Sequence, residues 1–201
     1  MGQAPQPLAG IKVLDLSRVF AGPVCGRILS DLGADVVKVE PPEGDVTRLW
    51  GRKAAGLSTY YVQQNVGKQN ISIDLRKDGG PALVRELVKH SDIVVENFRP
   101  GVMAKYGLDY DSLRQHKPDL VMASISGFGQ DGPESGRAAY AAILHGEAGA
   151  IDVSKGVAAA HDISFSAADV LSGMHGVIGL LAALRVRDQT GIGQHVDIAM
   201  M

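Results

Sequence analysis

With a single cysteine, Cys25, in 201 residues, the chain cannot form an internal disulfide, which points to a reducing setting. An excess of either charge is missing too: 20 Lys and Arg against 22 Asp and Glu leave a formal charge of -2, so no basic field is offered to nucleic acid. The N-terminus MGQAPQPLAG has neither the charged start nor the apolar run of a signal peptide, and Gln6 stands where a myristoylation motif wants Ser or Thr. The most apolar stretch, Val170 to Leu184, spans about 22 Å as a helix, short of the roughly 30 Å of bilayer hydrocarbon, and reads as a buried helix. No repeat and no linker interrupts the chain. The expectation is a cytoplasmic protein with no nucleic-acid or membrane partner. What is present, 45% hydrophobic and 21% charged residues, suits a globular domain able to bury a real core.

Strands and helices alternate along the chain. KVLDL (12–16) is short, β-branched and apolar, as a buried strand is, and VFAGPVCGRILSDLGA follows with helical spacing. Gly22-Pro23 suits the start of that helix and Gly33 its end, and DVVKVE (35–40) is the next strand, making a right-handed parallel unit. A polar loop PPEGD and a segment from Ser58 to Gln64 precede the strand NISIDL (70–75). A helix from Gly80 to His90, with Asp78 as its cap, leads to the strand DIVVENF (92–98). A short helix in YDSLRQHKP, the strand LVMASISGF (120–128), a long helix from near Ala168 to about Asp188 and the strand HVDIAM (195–200) complete the series. Such alternation predicts an α/β fold with a mainly parallel, doubly wound sheet. Ligands of such sheets sit beyond the carboxyl ends of the strands, here Ser17-Arg18, Glu40-Pro41, Arg76, Asn97-Phe98 and Ser126-Gly127.

Motifs that carry chemistry are few. Gly22-Pro-Val-Cys-Gly26 is not a G-x-G-x-x-G fingerprint, so no nicotinamide cofactor is expected. His145, His161 and His175 fall in no ligand spacing with Cys, Asp or a second His, which leaves no metal site and makes them core or surface residues. Cys25 lies within the apolar pattern of the first helix and reads as a small buried hydrophobe. Asp169 stands just before the long helix, where a carboxylate caps backbone N–H groups. The same donors, with the helix dipole, hold a carboxylate ionised as a nucleophile requires, so the sequence leaves both roles open. Gly173, Gly176 and Gly179 lie on closely related faces of that helix and permit tight approach of another backbone.

The series LAGIKVLDLSRVFAGP, LGADVVKVEPPEGD, ISIDLR, ENFRPG, SISGFGQDGP and AADVLSGMHGVIGLLAALRVRDQTGIGQHVDIAM, running in order from about Pro7 to Met201, resembles the N-terminal half of family III CoA-transferases. This is the CaiB/BaiF family, which includes formyl-CoA transferase-like and α-methylacyl-CoA racemase-like proteins. The resemblance implies that residues 1–201 are the N-terminal part of a Rossmann-like large domain, with a small domain and a C-terminal return supplied by a second half. It also implies an interlocked homodimer in the full-length protein. It implies no tightly bound cofactor, only coenzyme A, with an acyl-CoA and a carboxylic acid as substrates. Asp169 matches the aspartate on which covalent intermediates form. Ala21, Ile73, Asp74, Leu75, Arg76, Asn97, Phe98, Arg99, Lys105, Arg137 and Tyr140 fall at CoA-contacting positions, with Arg76, Lys105 and Arg137 suited to phosphate.

Two departures refine the expectation. Phe20 and Ala141 stand where oxalate-handling relatives place glutamine and glutamate, which points to a bulkier or more apolar acyl group. The His-Asp pair of the racemases, near Tyr140-Ala141, is lacking, so epimerisation is a lesser alternative, as is an inactive CoA-binding fragment.

Overall fold

The computed structural model describes residues 5–154 and 165–201; His161 lies outside them. The chain runs β1 (Lys12–Asp15), α1 (Ala21–Asp31), β2 (Asp35–Glu40), a 3-10 turn (Val46–Leu49), β3 (Lys53–Ala54), β4 (Leu57–Ser58), α2 (Thr59–Asn65) and β5 (Gln69–Ser72). It continues through α3 (Gly80–Lys89), β6 (Ile93–Glu96), α4 (Val102–Lys105), α5 (Tyr110–Leu113), β7 (Val121–Ser126), α6 (Ala141–Glu147), α7 (Ala150–Ser154), α8 (Ala167–Thr190) and β8 (His195–Ala199). Six strands form one parallel sheet in the order β5-β2-β1-β6-β7-β8, while β3 and β4 pair apart from it as an antiparallel hairpin. Counted along the chain, the sheet strands lie 3-2-1-4-5-6, a Rossmann-like order within the doubly wound parallel sheet that the alternation of elements predicts.

Pleating sends alternate side chains to opposite faces, and each face has its own core. Val13, Val36, Ile93, Val95, Val121, Ala123 and Ile125 pack under α1 and α8, meeting Cys25, Leu29, Val177, Leu180 and Leu184. Leu14, Val39, Val94 and Met122 face the other way, against Val84 and Val88 of α3, Met103 and Leu113. Every residue of β6 and of β7 is buried, as central strands covered on both faces must be.

Several local boundaries differ from the sequence reading. β5 stops at Ser72 rather than continuing to 75, because the chain turns away after Ser72 pairs with Glu40. The cap of α3 is Gly79, in the left-handed conformation at φ 85°, and not Asp78. The long helix, read from near Ala168 to about Asp188, runs for 24 residues from Ala167 to Thr190; among the described residues it alone is long and apolar enough to cross a membrane. It nevertheless packs as a core helix. Added to Gly173, a Cβ would lie 2.7 Å from the Ala21 carbonyl oxygen, so α8 can sit on α1 only because a hydrogen stands there.

Candidate functional site around Asp169

The switch in strand order falls between β1 and β6, whose chains depart to opposite sides and leave a crevice at their carboxyl ends. Two loops meet in it. Arg18 donates its backbone N–H to Asn97 Oδ1 at 2.7 Å, and Asn97 Nδ2 returns a bond to the Arg18 carbonyl at 2.8 Å, so one carboxamide satisfies both backbone groups. Val19 then adopts φ 66°, a conformation that costs a β-branched residue on the order of 1–3 kcal/mol and needs neighbours to hold it. Asp45 Oδ2 supplies one hold, accepting the Val19 N–H at 3.0 Å. Gly22 must be glycine, since a Cβ would meet the Ser17 side chain at 2.2 Å and Asn97 at 3.2 Å.

Asp169 is the third residue of α8, not its cap; Ser166 holds the cap position without a side-chain bond. The Asp169 carboxylate reaches across to α1 and takes a hydrogen bond from the Ala21 backbone, the first helical residue there. Burial pushes its pKa up to about 6, while the Ala21 N–H, the neighbouring His145 and its own backbone N–H oppose that rise. His145 is itself buried, and its Nε2 accepts the Ala168 N–H at 3.2 Å, so imidazole and carboxylate share the first turn of α8.

Two cavities meet at Asp169. One, of about 190 Å³, runs between the switch-point loops and is lined by Arg18, Ala21, Asn97, Phe98, Arg99, Ser126, Arg137 and Tyr140. The other, of about 260 Å³, is walled by Phe20, Trp50, Tyr60, Tyr140 and Phe165, with His145 and Ser166 as its further polar groups. Val19, Phe20, Tyr140 and Asp169 border both. The aromatic wall is one cluster: Tyr60 lies 5.6 Å, ring to ring, from both Phe20 and Trp50. Burial raises the Tyr60 pKa first, and the charges of Asp169 and Asp45 add to it.

Of the residues marked in the sequence, Asp169, Ala21, Asn97, Phe98, Arg99, Arg137 and Tyr140 are brought together around the first cavity. Ile73, Asp74, Leu75, Arg76 and Lys105 are not among its lining residues. Ile73 is buried in the second core, and with Leu75 it borders a small cleft beneath Arg18 and Phe98. Arg76 is an exposed side chain paired with Asp74 and Glu43, and Lys105 is exposed in the last turn of α4. Arg137 pairs with Glu134 and Glu147 and lies 4.6 Å from the Phe128 ring centre. The phosphate-suited cations therefore sit outside the cavity or already carry carboxylate partners.

Four contributors lie outside the positions that the resemblance marked. Arg18 lies over the Phe98 ring at 5.2 Å and borders the first cavity. Ser126 borders it too; it is 6% exposed, and its Oγ has no hydrogen-bond partner among the described residues. His145, read as core or surface, is a cavity wall, and Asp45, read only as part of the polar loop PPEGD, holds the Val19 N–H. Arg18 and Ser126 did carry a signal, their places at the carboxyl ends of β1 and β7. Cys25 is fully buried with its thiol pKa pushed up by burial, which fits the reading of a small hydrophobe. His175 is exposed, bonding the Leu171 carbonyl through Nδ1, and the described residues hold no cluster of three metal-binding side chains.

Comparison with known proteins follows the same lines. The model of CoA-transferase family III matches residues 8–201. A succinate–glutarate CoA-transferase of Agrobacterium fabrum is 44% identical over 204 residues, covering 97% of this chain and 51% of its own length. A succinyl-CoA–D-citramalate CoA-transferase of Chloroflexus aurantiacus is 42% identical, with 98% of this chain and 50% of its own length covered. The crystal structure of a CAIB/BAIF family protein from Brucella suis superposes with a TM-score of 0.92 at 44% identity, over 97% of this chain and 53% of that one. The chain thus spans about half the length of the relatives it matches.

Proposed function

The chain belongs to CoA-transferase family III, and on that footing we propose that the protein moves CoA from an acyl-CoA to a carboxylic acid with Asp169 as the nucleophile. The observation that carries this reading is the position of one carboxylate at the junction of two cavities, against the first turn of α1.

The chemistry asks for little else. An Asp169 oxygen adds to the thioester carbonyl and expels the CoA thiolate, leaving a mixed anhydride. The thiolate attacks the aspartyl carbonyl and releases the first acid, so CoA is held as an aspartyl thioester. An incoming carboxylate attacks that thioester and the thiolate leaves again. Attack of the thiolate on the new acyl carbonyl yields the product and restores Asp169. No step transfers a proton, so no acid–base pair is required; what is required is an ionised carboxylate and stabilisation of a transient thiolate. Backbone N–H groups and the positive ends of α1 and α8 offer both. Dividing one exchange into several easier attacks is the benefit of covalent catalysis.

The first cavity, with Arg18, Arg99, the unpaired Ser126 hydroxyl and the Phe98 ring, suits the polar CoA arm. The second suits the acyl group and the acid. Its lining carries no Lys or Arg among the described residues and is largely aromatic, which favours an acid with an apolar body over the small dicarboxylates named for the relatives. Leu171, Met174, Ile178 and Leu181 form an exposed apolar stripe on α8, in keeping with a second half and an interlocked homodimer covering it. The reading keeps the protein in the cytoplasm, where an unpaired Cys25 is chemically at home.

The test is to incubate the protein with acyl-CoA and hydroxylamine and look for Asp169 hydroxamate by mass spectrometry. An unmodified Asp169, or full exchange by Asp169→Ala, rejects the mechanism. His145 and Asp169 share a cavity, so solvent deuterium appearing at the acyl α-carbon without exchange would instead favour epimerisation.

A further inference from the structure

We propose that Asp45 is a positioning residue: it locks Val19 in the left-handed turn that delivers the Ala21 N–H to Asp169. This rests on the reading of Asp169 as nucleophile. Asp45 lies in the polar loop after β2 and is 2% exposed. A carboxylate that merely capped the 3-10 turn would need one oxygen. Asp45 uses Oδ1 for that purpose, accepting the Thr47 N–H at 3.0 Å and the Thr47 hydroxyl at 2.8 Å. Its Oδ2 is committed to the Val19 N–H, 26 residues away in sequence.

The rest of the surroundings fix Asp45 in turn. Its own N–H is donated to Glu40 Oε2 at 2.8 Å. Lys38 Nζ, buried beneath the loop, donates to the Ser17 carbonyl at 2.7 Å and stands 3.6 Å from Asp45 Oδ2. One side chain thus ties the end of β2, the Ser17–Phe20 loop and the segment bearing Trp50 into a single unit. A valine at φ 66° returns to the right-handed or extended region when its neighbours release it. Two residues downstream, the Ala21 N–H would then turn away from the carboxylate it serves. The function of Asp45 is therefore exerted through the backbone and not by touching substrate.

The experiment compares Asp45→Asn, Asp45→Asn with Val19→Gly, Thr47→Val and Asp169→Asn, in the protein as isolated. The readouts are kcat, KM for acyl-CoA and the acidic limb of the pH profile; the titratable groups facing Asp169 are His145 and Tyr60, and the Tyr60 phenol stays neutral across that limb. An amide has one accepting oxygen, so Asp45→Asn gives up either the turn or Val19. Its kcat is expected to fall about 10- to 100-fold, as for a small misplacement near the reacting atoms, with KM for acyl-CoA nearly unchanged. The acidic limb moves to higher pH, because Asp169 has lost a donor to its charged form. Val19→Gly restores part of the rate, since glycine holds that φ without help. A purely structural role would lower the melting temperature without moving the limb. Should Asp45→Asn not fold, Thr47→Val, which loosens Asp45 without stranding a charge, is expected to shift kcat and limb in the same directions by less. Parental kcat and limb in the folded Asp45→Asn or Thr47→Val variants, beside an inactive Asp169→Asn, overturn the role of Asp45 alone. Full activity of Asp169→Asn overturns the nucleophile reading and this inference together.

Discussion

The Asp169 carboxylate, in the first turn of α8, accepts a hydrogen bond from the Ala21 backbone in the first turn of α1, so two helix N-termini converge on one anion. Burial still outweighs them and leaves the group with a pKa of about 6. If Asp169 is the nucleophile, transferase activity should accordingly decline below pH 6 with an apparent pKa near that value, because only an ionised carboxylate attacks a thioester. The measurement is kcat/KM for acyl-CoA between pH 4.5 and 8; a profile flat across that range would show that Asp169 is not the titrating nucleophile.

The same shift has a consequence for stability. A carboxyl group whose pKa rises from an ordinary 3.8 to about 6 on folding contributes stability that is fully present below pH 3.8 and lost as pH rises through 6. Asp169→Asn removes that loss. It should raise the melting temperature at pH 8, by at most about 3 kcal/mol of stability, and leave it nearly unchanged at pH 4. Equal effects at both pH values would contradict the burial seen here.

Glu96 offers a parallel on the far face of the sheet. Burial, with a smaller push from Asp197, carries its pKa up to about 7 against hydrogen bonds from Ser124 and the Phe98 N–H. Stability from this group is present below pH 4.5 and lost as pH rises through 7, so Glu96→Gln should stabilise the protein at pH 8 and hardly at pH 5. Thermal melts at the two pH values decide it.

Ser126 is buried and its hydroxyl has no partner among the described residues, so removing that hydroxyl should not destabilise the free protein. If it serves a ligand, Ser126→Ala should raise KM for acyl-CoA roughly 2- to 10-fold, the equivalent of about 0.5–1.5 kcal/mol for one neutral hydrogen bond. A drop in melting temperature with KM unchanged would assign Ser126 to the fold instead.

At Gly173 the expected effect is steric. A methyl group there would press on the Ala21 carbonyl at 2.7 Å and on Val24 at 3.0 Å. Gly173→Ala should cost about 1–3 kcal/mol by overpacking, seen in denaturant unfolding, and should also lower kcat, since α1 carries the N–H that Asp169 uses.

Much of this arrangement was legible in the residues. β6 and β7 are short apolar runs that only a sheet covered on both faces can bury, and α8 follows from its apolar length and from Gly191, its left-handed C-cap. The motif series pointed to Asp169, and the carboxyl ends of β1, β6 and β7 marked where its cavity lies. Asp78 and the residues after Ser72 were misread because capping and strand ends turn on tertiary pairing, which local composition carries weakly.

The amino-acid sequence by itself determined the alternation of elements and the parallel sheet, because periodicity, chain punctuation and short motifs act over a few residues. Tertiary structure alone decided that Asn97 grips Arg18 across 79 residues, that Asp45 reaches Val19 across 26, and that His145 and Asp169 look into one cavity. Those contacts arise from strands that pair out of chain order, and a single buried hydrogen bond between distant residues leaves no periodic trace for a sequence to display.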